Sequence, residues 1–345
     1  MNKFISLFIS AVLLLASFAV SAGAVGLDAG TQALNAEFSD GECPDGFDYV
    51  AFSPVSAADD SVKYPLFIWL HGMRSGEQPR AQLNNYEFSN WASDEYQARF
   101  VNAGGCFLIA PRVSNDYTNS WEPEMCAELM RTIEYYISQN ADNIDRNRIY
   151  IAGYSTGGSM VWDMLAQYPN YFAAAVPAAA IYPPTNSSLN KMGKTAVWAL
   201  CCDKDPYPLA ETADVKPCFE YLAKLSSKHA NLRLTTFSEA VFADGRKLTE
   251  TVNGVAVTAQ YAEHYIWEAV TYDMFMSDRR TPYLFASTID GEGGAVELNE
   301  YGNGIISWLS AQTLEDAGDD KEISFLERIM MIINRIIEFF KSLFA

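Results

Sequence analysis

Histidine is scarce in this chain: three occur in 345 residues, His71, His229 and His264. No Cys-x-x-Cys pair is present, and no cysteine stands at a spacing from a histidine that suits zinc, so no metal site is expected. Basic charge is also short. Lys and Arg number 24 against 43 Asp and Glu, a formal net charge of −19. A surface of that sign repels phosphate backbones, which argues against nucleic acid as a partner. Charge of either sign is modest, 19% of residues against 49% hydrophobic, the balance of a folded chain rather than a disordered one. Internal repeats are absent.

Long apolar runs are few. One opens the chain, from Phe4 to Val20, without a charge. Lys3 precedes it, and the small residues Val20-Ser21-Ala22 and Gly23-Ala24 follow. The run is short for a membrane span and ends in a cleavage pattern, so residues 1–24 read as a bacterial export signal and the mature protein as secreted. The first cysteine, Cys43, lies too far downstream for a lipoprotein anchor. Export permits disulfides among Cys43, Cys106, Cys126, Cys201, Cys202 and Cys218, but spacing does not choose a pairing, and buried thiols are an equal expectation. Cys201 and Cys202, as neighbours on a strand, point to opposite faces.

What the chain does have is a series of short apolar runs. They are Tyr64–Leu70, Cys106–Ala110, Ile149–Ala152, Ala173–Ala180 and Ala196–Leu200. Such runs suit strands covered on both faces of a parallel sheet. Helical patterns alternate with them at Trp91–Val101, Met125–Gln139, Ser159–Gln167 and Cys218–His229. The alternation predicts an α/β fold, a mostly parallel central sheet flanked by helices. Residues 231–242 read as a further strand, with Asp244-Gly245 as a turn and Val252–Tyr261 returning as its hairpin partner. Residues 278–303, with Gly, Pro and Asp but no clear period, read as loops, and Ile305–Gln312 as a closing helix. The catalytic domain is thus expected over residues 25–312. An acidic linker follows at 313–323, then an amphipathic helix at 324–345 whose wide apolar face suits a membrane surface, a partner, or the domain itself.

The strongest chemical signal is Gly153-Tyr154-Ser155-Thr156-Gly157, a G-x-S-x-G that follows a strand and opens a helix. That context is the one a nucleophile elbow requires. A serine hydroxyl is a weak nucleophile until a base takes its proton. His71 sits directly after the first core strand in Leu70-His71-Gly72-Met73 and is read as a structural residue; His229 ends a lysine-containing helix. His264 comes late in the chain, after the acid candidates, which is the order Ser, acid, His. Two carboxylates compete for the acid, Asp203 and Asp205, with Asp205 farther into its loop. The backbone amides of Thr156 and Met73 are the expected oxyanion donors.

These segments resemble the polyhydroxybutyrate-depolymerase-like and feruloyl/acetyl-xylan-esterase-like branch of the α/β-hydrolases. The resemblance rests on LHGM at 70–73, RIYIAGYSTGGSM at 148–160, AQYPNYFAAAVPAAA at 166–180, WALCCDKDPYP at 198–208 and EHYIW at 263–267, and covers about residues 45–312. It implies an α/β-hydrolase fold, a triad of Ser155, Asp205 and His264, and no cofactor. That family's acid loop reads H-G-x-x-D, which sets Cys201-Cys202 over His-Gly. Trp267 matches the Trp three residues after the family's His. Trp121 and Trp267 are expected at the substrate. The implied activity is hydrolysis of carboxylic esters, acyl groups on plant polysaccharide or a polyester. A peptidase using the same machinery is the alternative. A non-catalytic binding module is a third reading, disfavoured because every triad member is present in order.

Overall fold

The computed structural model describes residues 29–54, 62–73, 88–100, 104–113, 119–192, 195–207, 209–225, 231–242, 249–252, 255–258, 262–271, 273, 283–297 and 304–314. The expected export signal, the tail helix, His229 and the acidic linker beyond residue 314 lie outside these residues.

The apolar runs form strands. Among the described residues, nine strands make one sheet: β1 (Ser39–Gly41), β2 (Tyr49–Phe52), β3 (Tyr64–Leu70), β4 (Phe107–Pro111), β5 (Ile144–Tyr154), β6 (Ala174–Ala178), β7 (Ala196–Cys202), β8 (Leu232–Phe242) and β11 (Tyr283–Asp290). A separate hairpin pairs β9 (Thr249–Val252) with β10 (Val255–Thr258). The sheet runs β1-β2-β4-β3-β5-β6-β7-β8-β11. From β4 to β8 every neighbouring pair is parallel, and only the margins, β1, β2 and β11, are antiparallel. Its longer helices are α1 (Ala29–Ala36), α2 (Cys126–Gln139), α3 (Thr156–Gln167), α4 (Thr212–Leu225) and α5 (Ile305–Ser310).

Side chains alternate across a strand, so each central strand feeds two cores. Leu66, Ile68 and Leu70 of β3, Ile149 and Ile151 of β5, and Cys201 of β7 face α2, α3 and α4 through Leu129, Ile133, Met160 and Phe219. Phe67 and Trp69, Tyr150 and Tyr154, and Trp198 and Cys202 face the other way, against Trp91, Trp267 and Trp308. The second core is built from rings: Phe67 stacks on Trp91 at 4.1 Å and Tyr154 on Trp267 at 4.3 Å. All six cysteines are unbridged; five are buried and Cys218 is half-buried. Cys201 and Cys202 fall in opposite cores.

Two expectations need correction. Residues 278–303 are not all loop, because β11 lies within them and closes the sheet against β8. Val255–Thr258 pairs with Thr249–Val252 instead of returning along residues 231–242, whose margin β11 occupies. The reason is tertiary: β11 has β-branched and aromatic residues but gains its partner only once β8 is in place.

Asp273 ties the margins of the second core together. It is fully buried and accepts from Arg99 Nη1 at 2.5 Å and from the Ile306 backbone N–H at 2.7 Å, at the first turn of α5. Removing one partner of a buried pair strands the other. Asp273→Ala should therefore cost about 3 kcal/mol of unfolding free energy, measured by urea titration. A loss under about 0.5 kcal/mol, the scale of an ordinary surface substitution, would show that the pair carries no stability.

Candidate active site

Ser155 stands where β5 ends and α3 begins. Its backbone adopts φ 55° and ψ −121°, a region bulkier side chains seldom enter. The Ser155 N–H donates to the Ala178 carbonyl at 3.1 Å, and the Ser155 carbonyl accepts from Ser159 N–H at 3.1 Å. These two bonds clamp the turn between the end of β6 and the helix. Gly157 makes the turn possible, because a Cβ there would lie 2.4 Å from the carbonyl oxygens of both Leu70 and His71. Gly72 does the same from the opposite side: its Cβ would meet the Tyr154 ring at 2.7 Å and Ser155 Cβ at 3.1 Å. The loop after β3 is thereby pressed against the serine.

His264 reaches the serine from a short turn, Ala262–His264. Its Nε2 lies 3.0 Å from Ser155 Oγ and its Nδ1 2.7 Å from Asp205 Oδ2. Asp205 follows β7, is 1% exposed, and also accepts from the Tyr207 N–H at 3.0 Å. Asp203 is exposed, and its N–H extends the β7–β8 pairing by donating to the Phe237 carbonyl. The carboxylate on the imidazole is therefore that of Asp205. With Nδ1–H donated to Asp205, Nε2 is left as the acceptor for the serine proton.

Two rings pack against the imidazole. Tyr207 lies 4.3 Å away, tilted, and Trp267 presents its edge geometry at 5.3 Å. Tyr207 carried no signal in the sequence beyond its place two residues after the acid. Trp267 is 3% exposed and is sandwiched into the chain of rings through Tyr154, so its position is that of a support for the base. Trp121 is 2% exposed and packs at 5.2 Å, edge-on, to Phe47 and at 5.3 Å to His71. The structure brings Ser155, Asp205, His264 and Trp267 together, whereas Trp121 packs on His71, in the loop that carries Met73. Thr156 occupies the first position of α3, and Met73, 39% exposed, follows Gly72. The Thr156 N–H belongs to the first turn of a helix and has no acceptor within it.

His71 anchors that loop. Its Nδ1 donates to the Gly72 carbonyl at 2.7 Å, and its Nε2 accepts from the Val113 N–H at 3.1 Å, just past β4. Burial pushes its pKa down to about 4. A protonated ring would lose the Val113 bond, because Nε2 would then carry a hydrogen.

Among known proteins, residues 109–205 match the Prolyl oligopeptidase family. A stretch of 132 residues, 38% of this chain and 18% of the other, is 26% identical to the bifunctional acetylxylan esterase/xylanase XynS20E of Neocallimastix patriciarum. Another of 103 residues, 30% of this chain and 14% of the other, is 27% identical to dipeptidyl-peptidase 5 of Aspergillus fumigatus. The matched stretches thus span less than a fifth of those relatives. A solved structure described as a thermostable esterase superposes with a TM-score of 0.53 at 22% identity, over 69% of this chain and 61% of that one. The fold is that of the α/β-hydrolases. Within that fold the serine, imidazole and carboxylate stand in the order that proton transfer from a serine hydroxyl requires.

The His71 clip gives a pH prediction. A histidine whose folded pKa is below its unfolded value of about 6.5 contributes stability that is complete above that value and lost as pH falls toward about 4. The expected loss is up to ~3 kcal/mol. Unfolding free energies at pH 7 and pH 4 should therefore differ by less in His71→Asn than in wild type; an unchanged difference would show that His71 does not supply it.

Proposed function

We propose that the chain hydrolyses carboxylic esters through an acyl-Ser155 intermediate, on acyl groups of plant polysaccharide or on a polyester, after export from a bacterial cell. The observation that carries the chemistry is the unbroken run Ser155 Oγ, His264 Nε2, His264 Nδ1, Asp205 Oδ2, at 3.0 and 2.7 Å. In the first step His264 takes the Ser155 proton as Oγ attacks the ester carbonyl. The carbonyl oxygen becomes an alkoxide and is met by the Thr156 and Met73 amides. His264 then gives its proton to the departing alcohol. In the second step a water, deprotonated by His264, attacks the acyl carbon, and the serine leaves with the proton returned. Asp205 holds the imidazole in the tautomer this needs and stabilises its charged form.

The ester reading is supported by the resemblance of the segments around Ser155 and His264 to polysaccharide esterases, and by the partial match to an enzyme described as an acetylxylan esterase/xylanase. A second reading, cleavage of peptides, is favoured by the Prolyl oligopeptidase match and the dipeptidyl-peptidase relative. The same acyl transfer serves both. What differs is the leaving group, an alcohol or an amine, and the walls that receive it.

Three measurements test these readings, the last of them separating ester from peptide cleavage. A fluorophosphonate should label the purified chain, and Ser155→Ala should abolish the label; a folded wild type that stays unlabelled removes the hydrolase reading. On short p-nitrophenyl esters, Asp205→Asn should lower kcat on the order of 10⁴-fold, because the imidazole is left in the wrong tautomer. Turnover of aminoacyl anilides at a higher kcat/KM than acetyl or feruloyl xylan would favour the peptidase over the esterase.

A further inference from the structure

The loop that carries the acid holds the base twice. Asp205 Oδ1 accepts from the Tyr207 N–H at 3.0 Å, while Asp205 Oδ2 lies 2.7 Å from His264 Nδ1. The first bond closes the short side-chain turn that an aspartate makes with the amide two residues on. Pro206 stands between the two residues, with its φ fixed by its own ring. The backbone of Tyr207 therefore aims the carboxylate, and the ring of the same residue lies 4.3 Å from the same imidazole.

The other side of Tyr207 is tied down as well. Its carbonyl accepts from the Ala210 N–H at 3.1 Å, in a turn that keeps Leu209 at φ 74°. A leucine in that left-handed region is strained, and such strain persists only where the surroundings enforce it. Both polar groups of the Tyr207 backbone are thus engaged, which fixes the point from which its side chain departs.

The two rings overlap instead of meeting edge to face. Edge-on pairs in this fold stand farther apart: Phe47 and Trp121 at 5.2 Å and 77°, Tyr49 and Tyr136 at 5.5 Å and 83°. Trp267, at 5.3 Å and 86° from His264, is a contact of that kind. Tyr207 and His264, at 4.3 Å and 45°, have the separation of the stacked pair Tyr154 and Trp267. An aromatic face carries negative charge density and attracts a cation within about 6 Å of its centre. His264 is 4% exposed and Tyr207 is half-buried, so little water competes for the charge.

We propose that Tyr207 is a positioning residue of the hydrolytic reaction, whose ring stabilises the imidazolium that His264 becomes on taking the Ser155 proton. This rests on Ser155 being the nucleophile and His264 its base. The charge forms twice in a turnover, once as Oγ attacks the ester and once as water attacks the acyl-enzyme. Tyr207 neither takes nor gives the proton, which passes from Ser155 Oγ or water to Nε2, and from there to the departing alcohol or back to Oγ. A neutral imidazole gains far less from the ring, so the contact favours the transition state over the resting enzyme.

The test alters the charge on the ring face and keeps its shape. In the full chain, assayed on p-nitrophenyl butyrate, Tyr207→Phe should keep kcat within about twofold of wild type. Tyr207→Leu should lower kcat about 5- to 30-fold with KM within about twofold, the mark of an interaction made only in the transition state. Phenylalanine, difluorophenylalanine and trifluorophenylalanine are then placed in turn at position 207. Fluorine withdraws charge from the ring face with little change of size, so kcat should fall at each step, about 3- to 10-fold across the series. Thermal unfolding midpoints should stay level across it. A flat kcat series overturns the proposal and assigns Tyr207 to packing alone. So does a rise in KM at unchanged kcat, which would set the ring against the substrate instead of the base. Should Tyr207→Leu not fold, the fluorinated series decides by itself. Failure of fluorophosphonate to label folded wild type is a separate result: it removes Ser155 as nucleophile and this inference with it, whereas a flat series in a chain that labels leaves the hydrolytic reading in place.

Discussion

The conformation of one residue governs the site. At φ 55° and ψ −121°, Ser155 holds a backbone geometry that costs on the order of 1–3 kcal/mol and persists only when its surroundings leave no alternative. Those surroundings are backbone, not side chain. The carbonyls of Leu70 and His71 fill the space where Gly157 lacks a Cβ, and the Ala178 carbonyl holds the Ser155 amide. Three parallel strands, β3, β5 and β6, thus converge on one turn with their carboxyl ends. In an open parallel sheet this is where loops gather, and here the convergence itself enforces the strain.

The base is held by different means. His264 comes from a stretch with little regular structure, and it is fixed by packing. Its imidazole packs against both Tyr207 and Trp267, and Trp267 rests on Tyr154, the residue next to the nucleophile. Tyr154 continues to Trp69 at 5.5 Å. A line of rings therefore connects the interior of the sheet to the proton acceptor. The Trp91 indole N–H donates to the Val270 carbonyl at 3.2 Å, securing the far end of the His264 segment. A loop thereby gains the precision usually associated with helices and strands.

Much of this was legible in the amino-acid order because the signals were local. A buried parallel strand needs apolar residues on both faces, and β3, β6 and β7 show that as uninterrupted runs. The Gly153–Gly157 motif declares itself because close backbone approach admits only glycine. The pairing of Asp205 instead of Asp203 with His264 was a preference in the sequence, and in the structure it follows from how far the chain must travel past β7 before a side chain turns inward. Other features depend on contacts between distant segments. β11 sits among Gly and Asp residues and becomes a strand only beside β8. Tyr207 gains its importance from a ring 57 positions later. The neutral state of His71 comes from burial, which residue order does not state.

The unbridged thiols carry a last consequence. No covalent cross-link among the six cysteines restrains the unfolded chain, so collapse of the two cores alone must select the native topology, without an oxidant or an isomerase. With five sulfurs sealed and Cys218 half-covered, the rate at which an alkylating reagent consumes the remaining groups becomes a direct clock for the opening of each half of the interior, Cys201 reporting one side of the sheet and Cys202 the other.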